Sequence, residues 1–283
     1  MFEGRNLLIA TKHRKETVIA PLFSDAFGVH CFISDEIDTD SLGTFSGEIA
    51  RKKNTIETLR DKCDLAHKTV GADLVVASEG TFGPHPTLFF AYADDEWMML
   101  KDYRNNLEIV VREISTETNF YGDNINNIRD LEAFAFKVQF PSHGIILKPA
   151  EKNFSKVVKN IQDWEELQQH FNSMMNEFGT AYAETDMRAM YNPTRMKVIE
   201  KATLKLVKKI KSVCPNCETP GFGIVDRKSG LPCKQCRFPT NSTLSYIYNC
   251  QKCNYIKEEE FPNGKREFSL IAQIQFIYLF KKQ

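Results

Sequence analysis

The 283-residue sequence predicts an α/β fold, a mixed sheet flanked by helices, followed by a small C-terminal zinc-ribbon module. Three observations lead there. Short apolar runs alternate with helical patterns from Asn6 to Ala77, as in a sheet with helices on both faces. Six of the eight cysteines fall into three Cys-x-x-Cys pairs, all beyond residue 213. The net charge of zero, from 37 basic and 37 acidic side chains, hides an asymmetry. Residues 1–200 carry 22 basic and 31 acidic side chains, whereas residues 201–283 carry 15 and 6. An acidic body and a basic tail imply modules with different partners. The expected division is an α/β body over 1–193, a Lys-rich linking helix over 194–211, and the ribbon over 212–283.

A hydrophobic content of 42% fills a sizeable core, and 21 Phe with 26% charged residues argue against disorder. Met1–Ala10 holds only the short apolar run Leu7–Ala10, with no cleavage site after it. The longest apolar stretch, Phe268–Phe280, is interrupted by Gln273 and Gln275 and is too short to span a bilayer. The expectation is a soluble, cytoplasmic protein with no membrane partner.

In chain order, Asn6–Thr11 reads as a strand and Lys12–Lys15 as a polar loop. A helix follows and ends near Gly28, with Pro21 restricting where it starts. Val29–Ser34 reads as a second strand and Asp35–Gly47 as an acidic, turn-rich segment. Asn54-Thr55-Ile56-Glu57 has the form of a capping box. Ile56, Leu59, Cys63, Ala66 and Val70 then make one buried stripe. Leu74–Ala77 is a continuous apolar run, expected of a strand buried on both faces. Thr87–Tyr92, Glu96–Lys101, Leu107–Ser115 and Gly144–Leu147 read as further strands. Asp163–Phe178 is a helix with Asp163 as N-cap. Thr194–Lys211 is a longer one: Met196, Ile199, Thr203, Leu206 and Ile210 face inward, and Lys197, Lys201, Lys205, Lys208 and Lys209 face water.

The cysteine pairs are Cys214/Cys217, Cys233/Cys236 and Cys250/Cys253. Structural zinc takes four tetrahedral thiolate or imidazole ligands, so two pairs make one site. Either the first and second pairs share a metal, or the first and third do, as in a zinc ribbon. The pair left over is a degenerate second site, a free dithiol, or half of a site completed by another chain. No His lies beyond His170, so imidazole cannot complete it. A redox Cys-x-x-Cys normally opens a helix within a βαβ unit, a context missing here. Zinc would supply on the order of 10 kcal/mol of folding free energy to a segment short of core. Cys31 and Cys63 read as core residues.

Candidate chemistry in the body gathers in three segments. Thr11, Lys12, His13, Arg14 and Lys15 form a strand-to-helix loop suited to phosphate. Glu48 follows the Gly-bounded turn Gly43–Gly47. Glu79 closes a buried strand, where α/β proteins collect ligands. Carboxylates so placed would hold Mg²⁺, which takes one or two of them plus substrate phosphates. His85, between Pro84 and Pro86, is a general base or a rigid turn. Asp94-Asp95-Glu96 reads as an acidic turn rather than a site, or as a further metal ligand. Asp186, Arg188 and Arg195 are an ion-paired helix entry or substrate contacts.

The order Thr-x-His-x-Lys, Gly-Thr-Phe-x-Gly-Glu and a strand closing on Glu-Gly resembles the inosine-triphosphate pyrophosphatase superfamily, including its non-canonical purine nucleoside triphosphatases. The resemblance spans roughly residues 5–85, with His13 in place of that family's Asn and Lys15 one position early. It implies that Thr11 and Lys15 bind phosphate and that Glu48 and Glu79 bind metal. The whole chain, with its Thr185–Met190 and Asn192–Arg195 segments and its Cys pairs, resembles an uncharacterised bacterial family of unknown function with a C-terminal zinc ribbon. The leading functional reading is a Mg²⁺-dependent hydrolase of a nucleotide or related phosphate ester, with structural zinc. The alternative is a nucleic-acid-binding protein that uses the basic ribbon without catalysis, with Phe238, Tyr246 and Tyr248 stacking bases. A third reading leaves the ribbon as a structural or dimerisation element.

Overall fold

The structure, a computed structural model, describes residues 1–38, 53–88 and 90–269. Its first sheet is mixed, as the sequence predicts. β1 (Asn6–Ala10), β2 (His30–Phe32) and β3 (Leu74–Pro84) run parallel. β4 (Tyr92–Asp102) and β5 (Leu107–Ser115) extend the sheet antiparallel, giving the order β2-β1-β3-β4-β5.

Helices α1 (Glu16–Phe27) and α2 (Thr55–Val70) make the connections that parallel strands require. The capping box of α2 is present: Asn54 Oδ1 accepts the Glu57 N–H at 2.9 Å, and the Glu57 carboxylate accepts the Asn54 N–H at 3.3 Å. Its stripe packs Leu59, Cys63 and Ala66 against Leu8, Val75, Ala77 and Met99. Pro21 does not set the start of α1 but lies inside it. The lost backbone hydrogen bond is offset by the buried Ile19 and Phe23 on either side.

The β3–β4 hairpin differs from expectation. Its ladder runs from Leu74 opposite Asp102 to Pro84 opposite Tyr92 and sets Gly80 against Glu96 and Phe82 against Asp94. Thr87–Tyr92 is therefore not a strand; its described residues before Tyr92 form the turn, closed by the His85 N–H on the Ala91 carbonyl at 2.8 Å. Pro84 and Pro86 have no N–H to give a ladder, so pairing stops there despite the aromatic residues that follow. Asp94-Asp95-Glu96 is correspondingly strand rather than turn.

A second, antiparallel sheet contains β6 (Gly122–Ile125), β7 (Ile145–Lys148), β8 (Val158–Ile161) and β9 (Ala181–Thr185), ordered β6-β9-β7-β8. Helices α3 (Ile128–Lys137) and α4 (Trp164–Phe178) cover it around Leu131, Phe134, Leu147, Leu167 and Phe171. Asp163 caps α4 by accepting the N–H groups of Glu165 and Glu166 at 2.8 and 3.1 Å.

Helix α5 (Pro193–Lys211) buries Ile199, Thr203, Leu206 and Ile210 and exposes Lys197, Lys201, Lys205 and Lys208; Lys209 is half-buried. The chain divides into two compact units, Met1–Val207 and Lys208–Gln283. The second contains an antiparallel sheet of β10 (Gly223–Ser229), β11 (Thr243–Asn249) and β12 (Ile256–Glu260). Among the described residues, no helix is long and apolar enough to cross a membrane.

Candidate functional site

In the first unit, the C-terminal end of β1 lies beside the middle of β3, with Ala10 opposite Ala77, so Glu79 does not close its strand as expected but sits within it. Beyond that pair, β3 continues as Ser78-Glu79-Gly80, and charged side chains from five segments converge on it. Lys15, from the loop after β1, is buried and donates from Nζ to Ser78 Oγ at 2.9 Å. Lys62, on the same face of α2 as its apolar stripe, donates to the Ser78 carbonyl at 3.2 Å and to the Glu79 carboxylate. Arg195, at the start of α5, is almost completely buried. Its Nε donates to Glu96 Oε1 at 2.6 Å, its Nη1 donates to the Met187 carbonyl, and its guanidinium lies 5.0 Å from the Phe82 ring centre.

Gly80 makes this packing possible. A Cβ there would sit 2.5 Å from Glu96 Oε1 and 2.6 Å from Arg195 Nη2, closer than real Cβ contacts allow. The segments Thr185–Met190 and Asn192–Arg195 complete the cluster. Asp186 accepts from Arg188 Nε at 2.9 Å, and Asn192 Oδ1 caps α5 by accepting the Arg195 N–H at 2.9 Å.

The electrostatics are those of a site under tension. Asp94 is fully buried, and among the described residues neither of its carboxylate oxygens has a hydrogen-bond partner. Burial, and next the neighbouring Glu96, push its carboxyl up to about 8. Glu96 Oε2 is likewise unpartnered among the described residues. The His13 imidazole is pushed down to about 3 by burial and then by Lys15, Arg195, Arg188 and Lys62. Burial, followed by Arg195, lowers the Lys15 ammonium to about 7. A cavity of about 740 Å³ adjoins the cluster, lined by Phe82, Tyr92, Phe120, Tyr182, Asp186 and Arg188 among others.

The expected site residues are distributed unevenly. His13, Lys15, Glu79, Asp186, Arg188 and Arg195 join the cluster. Thr11 supports the loop, its Oγ1 accepting the His13 N–H at 3.4 Å. Lys12 and Arg14 are exposed, and Lys12 is ion-paired with Asp38. Glu48 lies outside the described residues. His85 is half-buried, and its Nδ1 accepts the N–H groups of Thr87 and Leu88 at 3.1 and 3.0 Å, as a turn anchor does. Lys62, Ser78 and the paired use of Asp94 with Glu96 were not read from the sequence. The signal was present for the carboxylate pair alone: any strand running through residues 94 and 96 puts them on one face.

In the second unit, Cys214, Cys217, Cys250 and Cys253 converge, every sulfur within 4.8 Å of the others. The first and third pairs therefore share the cluster. Cys214 and Cys253 Sγ are 3.7 Å apart, and Cys217 and Cys250 Sγ 3.6 Å. A tetrahedron with Zn–S bonds of about 2.3 Å has edges of about 3.8 Å, so these sulfurs can hold a zinc ion. Asn216 and then the Tyr255 N–H donate to Cys253 and draw its thiol down to about 6. Phe222 and Tyr248 pack around the cluster with ring centres 5.7 Å apart.

Residues 62–271 match a family described as a domain of unknown function, DUF6671. The chain belongs to the DUF6671 family. The DUF6671 match takes in Lys62, the β3–β4 hairpin, Asp186–Arg195 and all three cysteine pairs, but not the Thr11–Lys15 loop. No curated protein matches the chain.

Proposed function

We propose that this DUF6671 chain is a divalent-cation-dependent hydrolase, using Mg²⁺, of a nucleotide or related phosphate ester. One observation carries the reading: Asp94 and Glu96 stand together on β4, buried, with three carboxylate oxygens unpartnered among the described residues, opposite Lys15, Lys62 and Arg195. A buried carboxylate without hydrogen bonds costs free energy unless a proton or cation compensates it. The two side chains fit the one or two carboxylates that Mg²⁺ takes from protein. When bound, the ion would polarise a phosphoryl oxygen and lower the pKa of water.

The remaining roles fall to the chain's own groups. Lys15 and Arg188 neutralise phosphate charge, with His13 as a neutral hydrogen-bonding group. Lys62 is oriented by Glu79, so Glu79 acts through that lysine. Glu48 remains assigned to the same acidic set by the superfamily resemblance. The adjoining cavity, with its aromatic wall, offers room for the organic part of the ester.

The nucleic-acid reading has less support. Phe238 is 73% exposed, but Lys205 is bound to Glu113 and Tyr248 to Glu259, beside the acidic strand Glu258–Glu260.

The test is a panel of nucleoside triphosphates and phosphate monoesters, with and without Mg²⁺. The expected result is turnover that requires the ion and falls at least about 10²-fold in Asp94→Asn, which retains the fold. Absence of turnover across the panel with Mg²⁺ or Mn²⁺ returns the cluster to a structural role.

A further inference from the structure

The third cysteine pair is built like the other two. In each pair the first cysteine donates its N–H to a carbonyl five residues on: Cys214 to Thr219, Cys233 to Phe238 and Cys250 to Tyr255, at 2.9, 2.8 and 2.9 Å. In each, the residue four positions on returns its N–H to the first cysteine's carbonyl: Glu218, Arg237 and Asn254, at 2.8, 2.9 and 3.0 Å. Those three residues share a left-handed backbone, with φ of 57°, 62° and 58°. None is a glycine, so each carries the cost of that conformation. Phe268 pairs alongside, its N–H on the Pro232 carbonyl and its carbonyl taking the Lys234 N–H. Cys233/Cys236 is therefore a formed metal knuckle rather than a chance repeat of spacing.

Two knuckles make one tetrahedral site, and no fourth lies within these 283 residues. All eight cysteines are described: four form the cluster, Cys63 is fully buried in the sheet core, and Cys31 contacts Ser24 and the Ala20 carbonyl. Cys236 is exposed and Cys233 half-exposed, whereas the four cysteines of the cluster are buried or half-exposed and none is fully exposed. We propose that Cys233 and Cys236 are half of a second zinc site, completed by the same pair from a second copy of this chain.

A two-fold axis through the ion relates the halves, as in an isologous dimer. The local charge suits that arrangement. Lys234 and Arg237 flank the pair and share Glu267, with Arg237 Nη1 2.8 Å from its carboxylate. Each half thus keeps one net positive charge, and two halves offset the double negative charge of a tetrathiolate zinc centre. Phe238, directly after the knuckle, supplies an exposed ring at the expected contact.

The experiment uses the full chain, reduced and zinc-replete, with zinc per chain measured beside molar mass in solution. The expected result is a dimer with about 1.5 zinc ions per chain, three per two chains. Graded chelation should release one ion per dimer first, and the mass should halve with it. Cys236→Ser should be monomeric with one zinc. A monomeric wild type, whether it holds one or two zinc ions, would overturn the proposal. So would a dimer with one zinc per chain, or one that survives loss of the first ion. The wild-type stoichiometry decides the matter even if the variant does not fold.

Discussion

The Lys15 ammonium, buried at the entry to α1, donates to the Ser78 hydroxyl at 2.9 Å and ties the loop after β1 to the middle of β3. Lys15 titrates near 7 because burial, and then Arg195, oppose its charge. It gives the candidate site a cation whose charge depends on what is bound beside it.

That depression has a sign. The folded Lys15 pKa of about 7 lies below the ordinary lysine value of 10.5, so between those values the unfolded chain binds more protons. Stability should therefore rise with pH across that window, as the buried charge is relieved. His13, depressed from 6.5 to about 3, makes a like contribution at acid pH: stability falls as pH drops through that range. Thermal unfolding of Lys15→Met between pH 7 and 10 should show a flatter pH dependence than wild type. Parallel curves would mean that Lys15 stays charged throughout.

Gly80→Ala should destabilise the body by about 3 kcal/mol or more, because its Cβ must displace the buried Glu96–Arg195 pair. Gly83, on the same strand, has nothing within 4 Å of such a Cβ, and Gly83→Ala should cost less than about 1 kcal/mol. Urea unfolding of the two variants compares the costs directly. Equal costs would show that strand propensity, not the close approach, sets the penalty.

Removing metal from the four-cysteine cluster should unfold β10–β12 while the body keeps its structure. Zinc contributes on the order of 10 kcal/mol to modules of this kind, more than so small a core can replace. Hydrogen exchange before and after chelation reads this out. Retained protection in β11 would show that Phe222, Tyr248 and their neighbours suffice without an ion.

Local signals were legible in the sequence wherever the physics is local. The capping box of Asn54 and Glu57, the Asp163 cap and the cysteine knuckles each depend on atoms a few residues apart. Asp186, Arg188 and Arg195 read as an ion-paired helix entry or substrate contacts, and Asp186 and Arg188, two residues apart, do form an ion pair. Asp94-Asp95-Glu96 reads as an acidic turn or a further metal ligand, because the start of β4 is set by hairpin closure across Pro84 and Pro86 and not by local composition. Lys62 escaped because its partner Glu79 is on a different element. The strand Gly122–Ile125 carries no apolar alternation and exists through its pairing with β9.

The hairpin register has a consequence for how this protein can vary. Side chains alternate along β4, so Asp94 and Glu96 share the buried face while Asp95 points outward to Arg112, at 2.7 and 2.8 Å. Inserting or deleting one residue between Tyr92 and Asp94 would shift this phase, drawing Asp95 inward and expelling both neighbours. The 85–91 turn is free of that constraint, since a longer or shorter loop leaves the ladder in step. Changes of length in this hairpin should therefore be borne better at its tip than in its strands, where a single stray codon would turn the site inside out.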